Sequence, residues 1–578
     1  WSAGDLAVNL GTGLLNEEIL FSGISAFDAD ATANNTLTGA DAVNSWSIDG
    51  DAAGTVSNAN GSVAFSGFQT LIGGAEADTF TLAAGVNLSE IYGGAGNDVF
   101  VIGEGVVADN FYGEAGDDSF DVEVGLVLSG VLDGGTGGEV EGDYIDLSKH
   151  TLLDATADLE TALGFAFRNF ERIDNPNNRG VYFGGNGTNF WYITGANQGR
   201  LEIRDGENAG VYEFSGVHSL RGGTGEDIFI FANDSAAITT LIDGGEGAGA
   251  NTLDLSAQGL INQWLLDGAN SGRVSNSSNA GGNIFTNIAY LIGGSAADRF
   301  ELHAGGSIAG AIDGGLGNNE LVVVAVEQTT NWRLGEANGH SVTGVASFSN
   351  IAGLIGGVGN DIFDIYAELT DISRINGGEG SDAVNFRYDA PISVDLARGL
   401  AAGLLVEGIE RFTSLNALST LIGVDDESSW TVDGANAGSV RYLLATGEDA
   451  VNVAFDGFGN LVAGAGDDRF VFTQGGALSG TLDGGAGRNA VDLQSLANDV
   501  HVATAADVAL PPGVAGLNLA NMDELIGNGR TWLYGASDRS YTWTIDGARS
   551  GRVTSTLVDD DNRLLAFENL SAIRGGAN

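Results

Sequence analysis

Residues 93–120 read GGAGNDVFVIGEGVVADNFYGEAGDDSF, and they contain two copies of the motif from which the fold can be predicted. The motif is Gly-Gly-x-Gly-x-Asp-x-Phe, which stands at Gly93–Phe100 and again, with Glu114 at the second position, at Gly113–Phe120. The two copies begin at residues 93 and 113, a step of 20 residues. Further full or partial copies begin at residues 73, 222, 293, 356 and 463. A short motif that returns along the chain indicates that one backbone path is repeated.

Two longer motifs precede these turns. In the first, a Phe stands eight residues before the first residue of the Gly pair, and we expect this Phe to lie in the core; its copies begin at Phe65, Phe214, Phe285, Phe348, Phe455 and Phe567. The second is Trp-x-aliphatic-x-Gly-x-x-x-Gly-x-aliphatic, whose alternation predicts a strand, a turn and a second strand. It begins at Trp46, Trp191, Trp264, Trp430 and Trp543, and at Trp332 with Glu336 and His340 in place of the two Gly.

The step between turns predicts the fold class. Successive Gly pairs begin at residues 73, 93, 113 and 134, which is too short a step for a βαβ unit. We therefore expect an all-β chain that forms a parallel β-solenoid, of the β-helix or β-roll type, with coils of about 20 residues and Gly-Asp turns. On the order of 25 coils at ~4.8 Å each would make a rod on the order of 12 nm long.

The same spacing predicts how the chain is divided. Residues 1–148 should form coils with stacked Gly-Asp turns, 149–183 an irregular excursion, 184–497 further coils, 498–516 a surface excursion, and 517–578 coils that stop in the middle of a repeat. Residues Ala155–Leu163 are a candidate for a short helix.

Composition excludes several classes of function. The 578 residues include 92 Gly, 4 Pro and no Cys, so disulfide scaffolds, thiolate zinc sites and cysteine catalysis are excluded. Asp and Glu number 77 against 23 Lys and Arg, and the net charge of −54 argues against nucleic acid and anionic membranes as partners. No apolar run approaches the ~20 residues of a membrane helix, so we expect no membrane insertion.

The Gly-Asp turns carry the candidate metal ligands. Calcium prefers six to eight oxygen ligands, and two turns stacked on adjacent coils could supply them. The steps between the turn Asp residues point to two clusters, made of Asp78, Asn97, Asp98, Asp117 and Asp118, and of Asp361 and Asp382. The alternative is that Gly and Asp serve turn geometry only, because both residues suit tight turns.

Other candidate chemistry is sparse. The six motif Trp residues could stack on carbohydrate, but their regular context favours a place in the core. The five His residues are scattered, and Lys149 is the only Lys. No Asp-Asp or Arg-x-x-Lys constellation repeats, so we expect no enzymatic activity.

The Gly-Gly-x-Gly-x-Asp-x-Phe motif resembles the nonapeptide Gly-Gly-x-Gly-x-Asp-x-aliphatic-x of RTX proteins. The larger unit of Trp motif, Phe motif and Gly-Asp turns is similar to repeats of very large secreted bacterial adhesins and exoproteins, of the RTX-like or haemagglutinin-like kind. The resemblance implies a calcium-bound parallel β-roll, secretion and a place on the bacterial cell surface.

We therefore expect a non-catalytic extracellular repeat protein, acting as an adhesin stalk or a self-assembling fibre and stabilised by Ca²⁺. The alternative is a carbohydrate-active or glycan-binding β-helix module, and glycans or the cell surface are the candidate partners. The chain begins at Trp1 without an initiator Met and ends at Asn578, halfway through a turn. We expect either a longer polypeptide that continues the repeat or end-to-end contact with another subunit.

Overall fold

The structure is a computed structural model in which most of the chain is described. The residues that it does not describe are 1–6, 12, 16–18, 21, 139–141, 148, 151–164, 171, 175–180, 185–186, 205–209, 246–249, 325–326, 444–449, 505–509, 511–515, 536–540, 556–564 and 576–578. The described part of the chain is all-β, with mostly parallel strand pairs. None of its elements is a helix that is long and apolar enough to cross a membrane.

The chain divides into two compact units, Trp1–Ala296 and Ala297–Asn578. The strands of the first unit are Ala7–Asn9, Leu14–Leu15, Ile19–Leu20, Ala26–Asp28, Thr36–Thr38, Ser45–Gly50, Ala53–Asn58, Gly61–Ser66, Thr70–Gly74, Thr79–Leu82, Glu90–Ala95, Val99–Ile102, Val107–Ala108, Asn110–Ala115, Ser119–Val122, Val127–Leu128, Val131–Gly135, Tyr144–Asp146, Ala166–Arg168, Arg172–Asp174, Val181–Phe183, Asn189–Gly195, Gln198–Ile203, Gly210–Ser215, Ser219–Arg221, Asp227–Phe231, Leu241–Asp243, Thr252–Asp254, Gln263–Gly268, Ser271–Ser275, Asn283–Thr286 and Tyr290–Ile292.

The second unit has strands of the same kind. They are Arg299–Leu302, Ile308–Asp313, Glu320–Val323, Thr330–Glu336, Gly339–Val342, Val345–Ser349, Gly353–Ile355, Asp361–Ile365, Arg374–Asn376, Ala383–Phe386, Ser393–Asp395, Leu400–Ala401, Leu404–Glu407, Arg411–Ser414, Thr420–Ile422, Ser428–Gly434, Ala437–Tyr442, Val451–Asp456, Asn460–Val462, Arg469–Phe472, Thr481–Asp483, Ala490–Asp492, Val500–Ala503, Gly516–Ala520, Glu524–Tyr534, Tyr541–Gly547, Ser550–Ser555 and Leu565–Arg574.

Parallel pairing follows the sequence repeat in register. Thr79–Leu82 pairs with Val99–Ile102, which pairs with Ser119–Val122, and each partner lies 20 residues further along the chain. Glu90–Ala95 and Asn110–Ala115 pair in the same way. A constant step keeps each inward side chain on the same face, because side chains alternate along a strand.

The core is built from these inward side chains. Phe80, Phe100 and Phe120 are buried and stack in a column, with ring centroids 5.1 Å and 4.2 Å apart. Stacked aromatic pairs contribute about 0.5–1.5 kcal/mol beyond the area that they bury. The Phe residues of the eight-residue motif are also buried, which confirms their predicted place in the core.

The Trp motif forms a three-stranded antiparallel excursion within the parallel pairing. Ser45–Gly50, Ala53–Asn58 and Gly61–Ser66 are antiparallel neighbours, while the first of them also pairs in parallel with Thr79–Leu82. The strand, turn and strand expected from the motif are therefore present, and a third strand returns the chain to the stack. Trp46 stacks on Phe80 at 5.5 Å and meets Phe65 edge-on at 5.9 Å.

The second Gly of the Trp motif is required by the close approach of two strands. A Cβ at Gly54 would lie 2.1 Å from the carbonyl oxygen of Ser47, and the same clash arises at Gly199, Gly272, Gly438 and Gly551. His340 stands at this position in the Trp332 copy, and there the pairing register is irregular and the imidazole stacks on Phe348 at 5.4 Å.

The predicted excursions lie only partly within the described residues. The range 149–183 contains the strands Ala166–Arg168, Arg172–Asp174 and Val181–Phe183, and the range 498–516 contains Val500–Ala503. The candidate helix at Ala155–Leu163 and the last three residues fall outside the described part of the chain. These boundaries remain predictions.

Candidate functional site

The Gly-Asp turns place the predicted ligands in two rows. Asp78, Asp98 and Asp118 are each within 1% of complete burial, and each directly precedes a strand of the in-register set. Asn97 is exposed and Asp117 is half-buried. The turn therefore has an inner row of carboxylates that faces the core and an outer row that faces solvent.

Hydrogen bonds join the inner row into a ladder. The N–H of Asp78 donates to Oδ1 of Asp98, and the N–H of Asp98 donates to Oδ1 of Asp118, each over 2.7 Å. The N–H of Asp118 donates in turn to Oδ1 of Asp143, and the N–H of Asn44 donates to Oδ1 of Asp78. Each inward carboxylate thus satisfies a buried backbone donor of the preceding repeat, which would otherwise be costly.

The outer row makes the same kind of contact. The N–H of Asp117 donates to Oδ1 of Asn97 over 3.1 Å, and the N–H of Gly142 donates to Oδ1 of Asp117 over 2.8 Å. In the second unit the N–H of Ser381 donates to Oδ1 of Asn360 over 2.9 Å.

The second predicted cluster has a shorter ladder. The N–H of Asp361 donates to Oδ1 of Asp382 over 2.7 Å, and the N–H of Asp382 donates to Oε2 of Glu410 over 2.8 Å. Asp361 and Asp382 are both buried. The structure therefore brings this predicted pair together and adds a Glu that the sequence analysis did not single out.

The ladders include residues that the sequence analysis missed. Turns after an isolated Asp carry Asn instead: the N–H of Asp227 donates to Asn251, that of Asp298 to Asn319 and that of Asp468 to Asn489. A usable signal was present, because each of these polar residues stands two positions before an inward apolar residue. The same spacing marks the buried Asn44, Asp143, Asn189 and Ser428.

The first Gly of each pair makes room for the inner carboxylate. A Cβ at Gly93 would lie 2.3 Å from Oδ2 of Asp98 and 2.6 Å from the carbonyl oxygen of Gly113. Gly73, Gly113, Gly356 and Gly377 meet the Asp five residues later in the same way. The spacing of Gly and Asp in the motif is thus a packing requirement between a backbone and one side chain.

The second carboxylate oxygen of Asp98 occupies a place where Asn donates in other turns. Asn489 Nδ2 donates to the carbonyl oxygens of Ala486 and Asn521, and Asn251 Nδ2 donates to those of Gly244 and Asn287. Oδ2 of Asp98 lies in the corresponding position, is buried and has no hydrogen-bond partner among the described residues. An ionised carboxylate cannot donate to a carbonyl, whereas a protonated carboxyl group can.

Burial shifts the pKa of these carboxyl groups accordingly. Desolvation raises the pKa of Asp98 to about 8, and the neighbouring carboxylates of Asp118 and Asp78 add to the rise. Desolvation also raises the pKa of Asp78, Asp227, Asp382 and Asp468 to about 6 in each case. The inner row therefore favours neutral carboxyl groups at a pH where exposed Asp is charged.

These turns supply only part of a calcium site. The oxygen donors suit Ca²⁺, but Asp78 and Asp98 each offer only one carboxylate oxygen without a hydrogen-bond donor among the described residues, and it lies behind a Gly and a carbonyl oxygen. Within the described ranges, no group of three or more His, Cys, Asp or Glu side chains could hold a metal ion. The observed hydrogen bonds fit the alternative in which Gly and Asp build the turn, and calcium binding stays a prediction.

The motif Trp residues are placed in the core more often than at the surface. Trp46, Trp191, Trp264, Trp332 and Trp430 are buried, whereas Trp543 is half-buried. The rings of Trp46, Trp191, Trp332 and Trp430 stack on the Phe of the following turn, and the Trp430–Phe470 centroids are 5.3 Å apart. A buried indole cannot present its face to a sugar, so these five residues do not form a carbohydrate-stacking array.

Comparison with known proteins adds no family. No protein-family model matches the chain, and no curated protein matches it.

Proposed function

We propose that the chain is a parallel β-solenoid that acts outside the cell as a non-catalytic structural repeat protein. In this proposal it forms the stalk of an adhesin or a self-assembling fibre on the bacterial cell surface. The observation that carries the proposal is the inner ladder, in which Asp98 and its counterparts hold the backbone of one repeat to the next.

The use of the polar groups supports a structural role. The buried carboxyl groups of Asp78, Asp98 and Asp382 accept hydrogen bonds from backbone N–H groups. A catalytic pair needs carboxyl groups that reach a substrate. Asp78, Asp98 and Asp382 are instead buried, where each holds the backbone of a neighbouring repeat in place.

The negative charge of the chain supports solubility in the extracellular medium. A net charge of −54 keeps the exposed faces of neighbouring molecules apart. Like charges within a Debye length of about 8 Å still repel one another at physiological salt. A medium that contains divalent cations would relieve this repulsion, and we therefore include stabilisation by Ca²⁺ in the proposal.

Electron microscopy and surface labelling test the proposal together. We expect negatively stained particles of the purified chain to be elongated stalks or end-to-end filaments. An antibody against the chain should label intact cells that produce it, and protease added outside those cells should remove the label. Compact particles, or a label that appears only after lysis, would contradict the proposal.

A further inference from the structure

One antiparallel excursion carries an outward face unlike the others. In the excursion that begins at Asn189–Gly195, Phe190 and Tyr192 flank the buried Trp191 and point away from the core. At the same two positions the other excursions carry Ser45 and Ser47, Gln263 and Leu265, Asn331 and Arg333, Ser429 and Thr431, and Thr542 and Thr544. No other excursion carries an aromatic residue at these two positions.

Arginine residues accompany these rings. The Arg200 guanidinium carbon lies 4.5 Å from the centroid of the Tyr192 ring, and that of Arg204 lies 3.7 Å from the Phe190 ring. Arg172 lies over Tyr144 at 5.2 Å on the neighbouring strands. Three of the five Arg–aromatic contacts found among the described residues are therefore on this one face, in a chain with 23 basic residues.

The register arranges these side chains in a row. Tyr144 pairs with Arg172, Arg172 with Glu213, Glu213 with Arg200 and Arg200 with Tyr192. Beside the row lies an open cleft of about 460 Å³, and the side chains that line it include those of Tyr144, Arg172, Thr194, Gln198, Glu213 and Ser215. Tyr144 and Arg172 thus line the cleft with several hydroxyl-binding groups, and the strand pairing continues the row from Glu213 to Arg200 and Tyr192.

Arg200 has no acidic partner among the residues that the structure describes. Glu213 is its neighbour across the strands, yet in the described part of the chain Arg200 forms no ion pair, and its Nε is buried without a hydrogen-bond partner. Arg204, in contrast, forms an ion pair with Glu202 at 2.9 Å. A chain with 77 acidic residues could easily have supplied a carboxylate for Arg200.

We infer that this face binds an acidic carbohydrate, a glycan segment whose sugars carry carboxylate groups. Tyr192 and Phe190 offer apolar ring surface on the scale of a sugar ring, Arg200 offers donors for a carboxylate, and Glu213 and Gln198 offer partners for sugar hydroxyls. Arg–aromatic stacking holds each guanidinium in place before the ligand arrives. This binding activity goes beyond a structural role and does not depend on whether the chain forms fibres.

Calorimetric titration of the full chain with a hexagalacturonate tests the inference, with a neutral galactan hexamer as the comparison. We expect saturable binding of the uronate that weakens as salt rises, and binding of the neutral sugar at least about tenfold weaker. Tyr192→Thr and Arg200→Ser copy the residues of the matched excursion, Thr431 and Ser439, and each should weaken uronate binding at least about tenfold.

Matched variants separate loss of binding from loss of fold. Thr431→Ala and Ser439→Ala, in the excursion without aromatic rings, should leave the affinity unchanged. The melting temperatures of all four variants should stay close to that of the parent chain, because these side chains point outward. The inference is overturned if the uronate does not bind, if the neutral hexamer binds equally well, or if Tyr192→Thr and Arg200→Ser retain the parent affinity.

Discussion

The backbone N–H of Asp78 donates a 2.7 Å hydrogen bond to Oδ1 of Asp98, which stands 20 residues later in the chain. This contact joins two repeats through a side chain rather than through the strand ladder. Because Asp98 is completely buried, the contact is also linked to the protonation of its carboxyl group. The stability of the repeat should therefore depend on pH through the protonation of Asp98.

Asp98→Asn should stabilise the chain at alkaline pH. Burial raises the folded pKa of Asp98 to about 8 from an ordinary value of 3.8, so folding favours the neutral form. The stabilisation is complete below about pH 4 and is lost as pH rises to about 8, by at most about 1.4 kcal/mol for each pH unit. Denaturant unfolding should therefore show a larger gain for Asp98→Asn at pH 8 than at pH 4.

A surface variant controls for the change in net charge. Glu104→Gln removes one negative charge at an exposed position. Its effect on the free energy of unfolding should be within about 0.5 kcal/mol. If Asp98→Asn and Glu104→Gln had the same small effect on the free energy of unfolding at pH 8, the conclusion that the Asp98 carboxyl group is neutral in the folded chain would be wrong.

Gly93→Ala should destabilise the chain by about 1–3 kcal/mol, the usual cost of overpacking. The new Cβ would lie 2.3 Å from Oδ2 of Asp98 and 2.6 Å from the carbonyl oxygen of Gly113, so backbone must move. Gly281→Ala is the control, because its nearest contact is a side-chain oxygen at 3.7 Å. Equal melting temperatures of the two variants would show that Gly93 is not required to make room for the Asp98 carboxyl group.

Trp430→Ala should cost about 3–5 kcal/mol in the free energy of unfolding, as for other large core truncations. Its ring is completely buried and stacks on Phe470. Leu418→Ala removes a side chain that is 70% exposed and should change the free energy little. A surface role for Trp430 would be indicated if the two variants unfolded alike.

Added Ca²⁺ should raise the melting temperature of the chain, because a ligand that binds only the folded state stabilises it. Asp98→Ala should reduce that rise more than Asp298→Ala does. The reason is that Asp98 has an Asp in the turn on either side, whereas the N–H of Asp298 donates to Asn319. Identical melting with Ca²⁺ and with chelator would leave the Asp residues with a role in turn geometry alone.

The all-β class and the 20-residue step between paired strands could be predicted from the sequence, because both follow from the spacing of the Gly pairs. A repeat of 20 residues is indicated by Gly73, Gly93 and Gly113. Strands that pair at this constant step are parallel and in register. The third strand of each Trp excursion was not evident, because Gly61–Ser66 contains the Phe motif and shows no separate signal.

The hydrogen-bond partners of the inner Asp residues could be identified only from the structure. Asn251, Asn319 and Asn489 take the place of Asp and accept the same backbone hydrogen bond, so the spacing of Asp residues alone does not identify them. Arg200, Tyr192 and Glu213 lie on three strands, and only the strand pairing places them side by side. Contacts that depend on register across a hairpin are not visible in local sequence patterns.

Disulfide formation between introduced cysteines tests the stacking of successive repeats most directly, because the chain has no Cys of its own. Thr81 is the register partner of Val101, and Val101 is the partner of Asp121. Neighbouring parallel strands lie about 4.8 Å apart, within the range for a disulfide, and strands two steps apart lie about 9.6 Å apart, beyond it. We predict rapid oxidation in the Thr81→Cys/Val101→Cys variant and none in the Thr81→Cys/Asp121→Cys variant. Equal cross-linking in the two variants, or none in the first, would contradict the stacked parallel arrangement of the repeats.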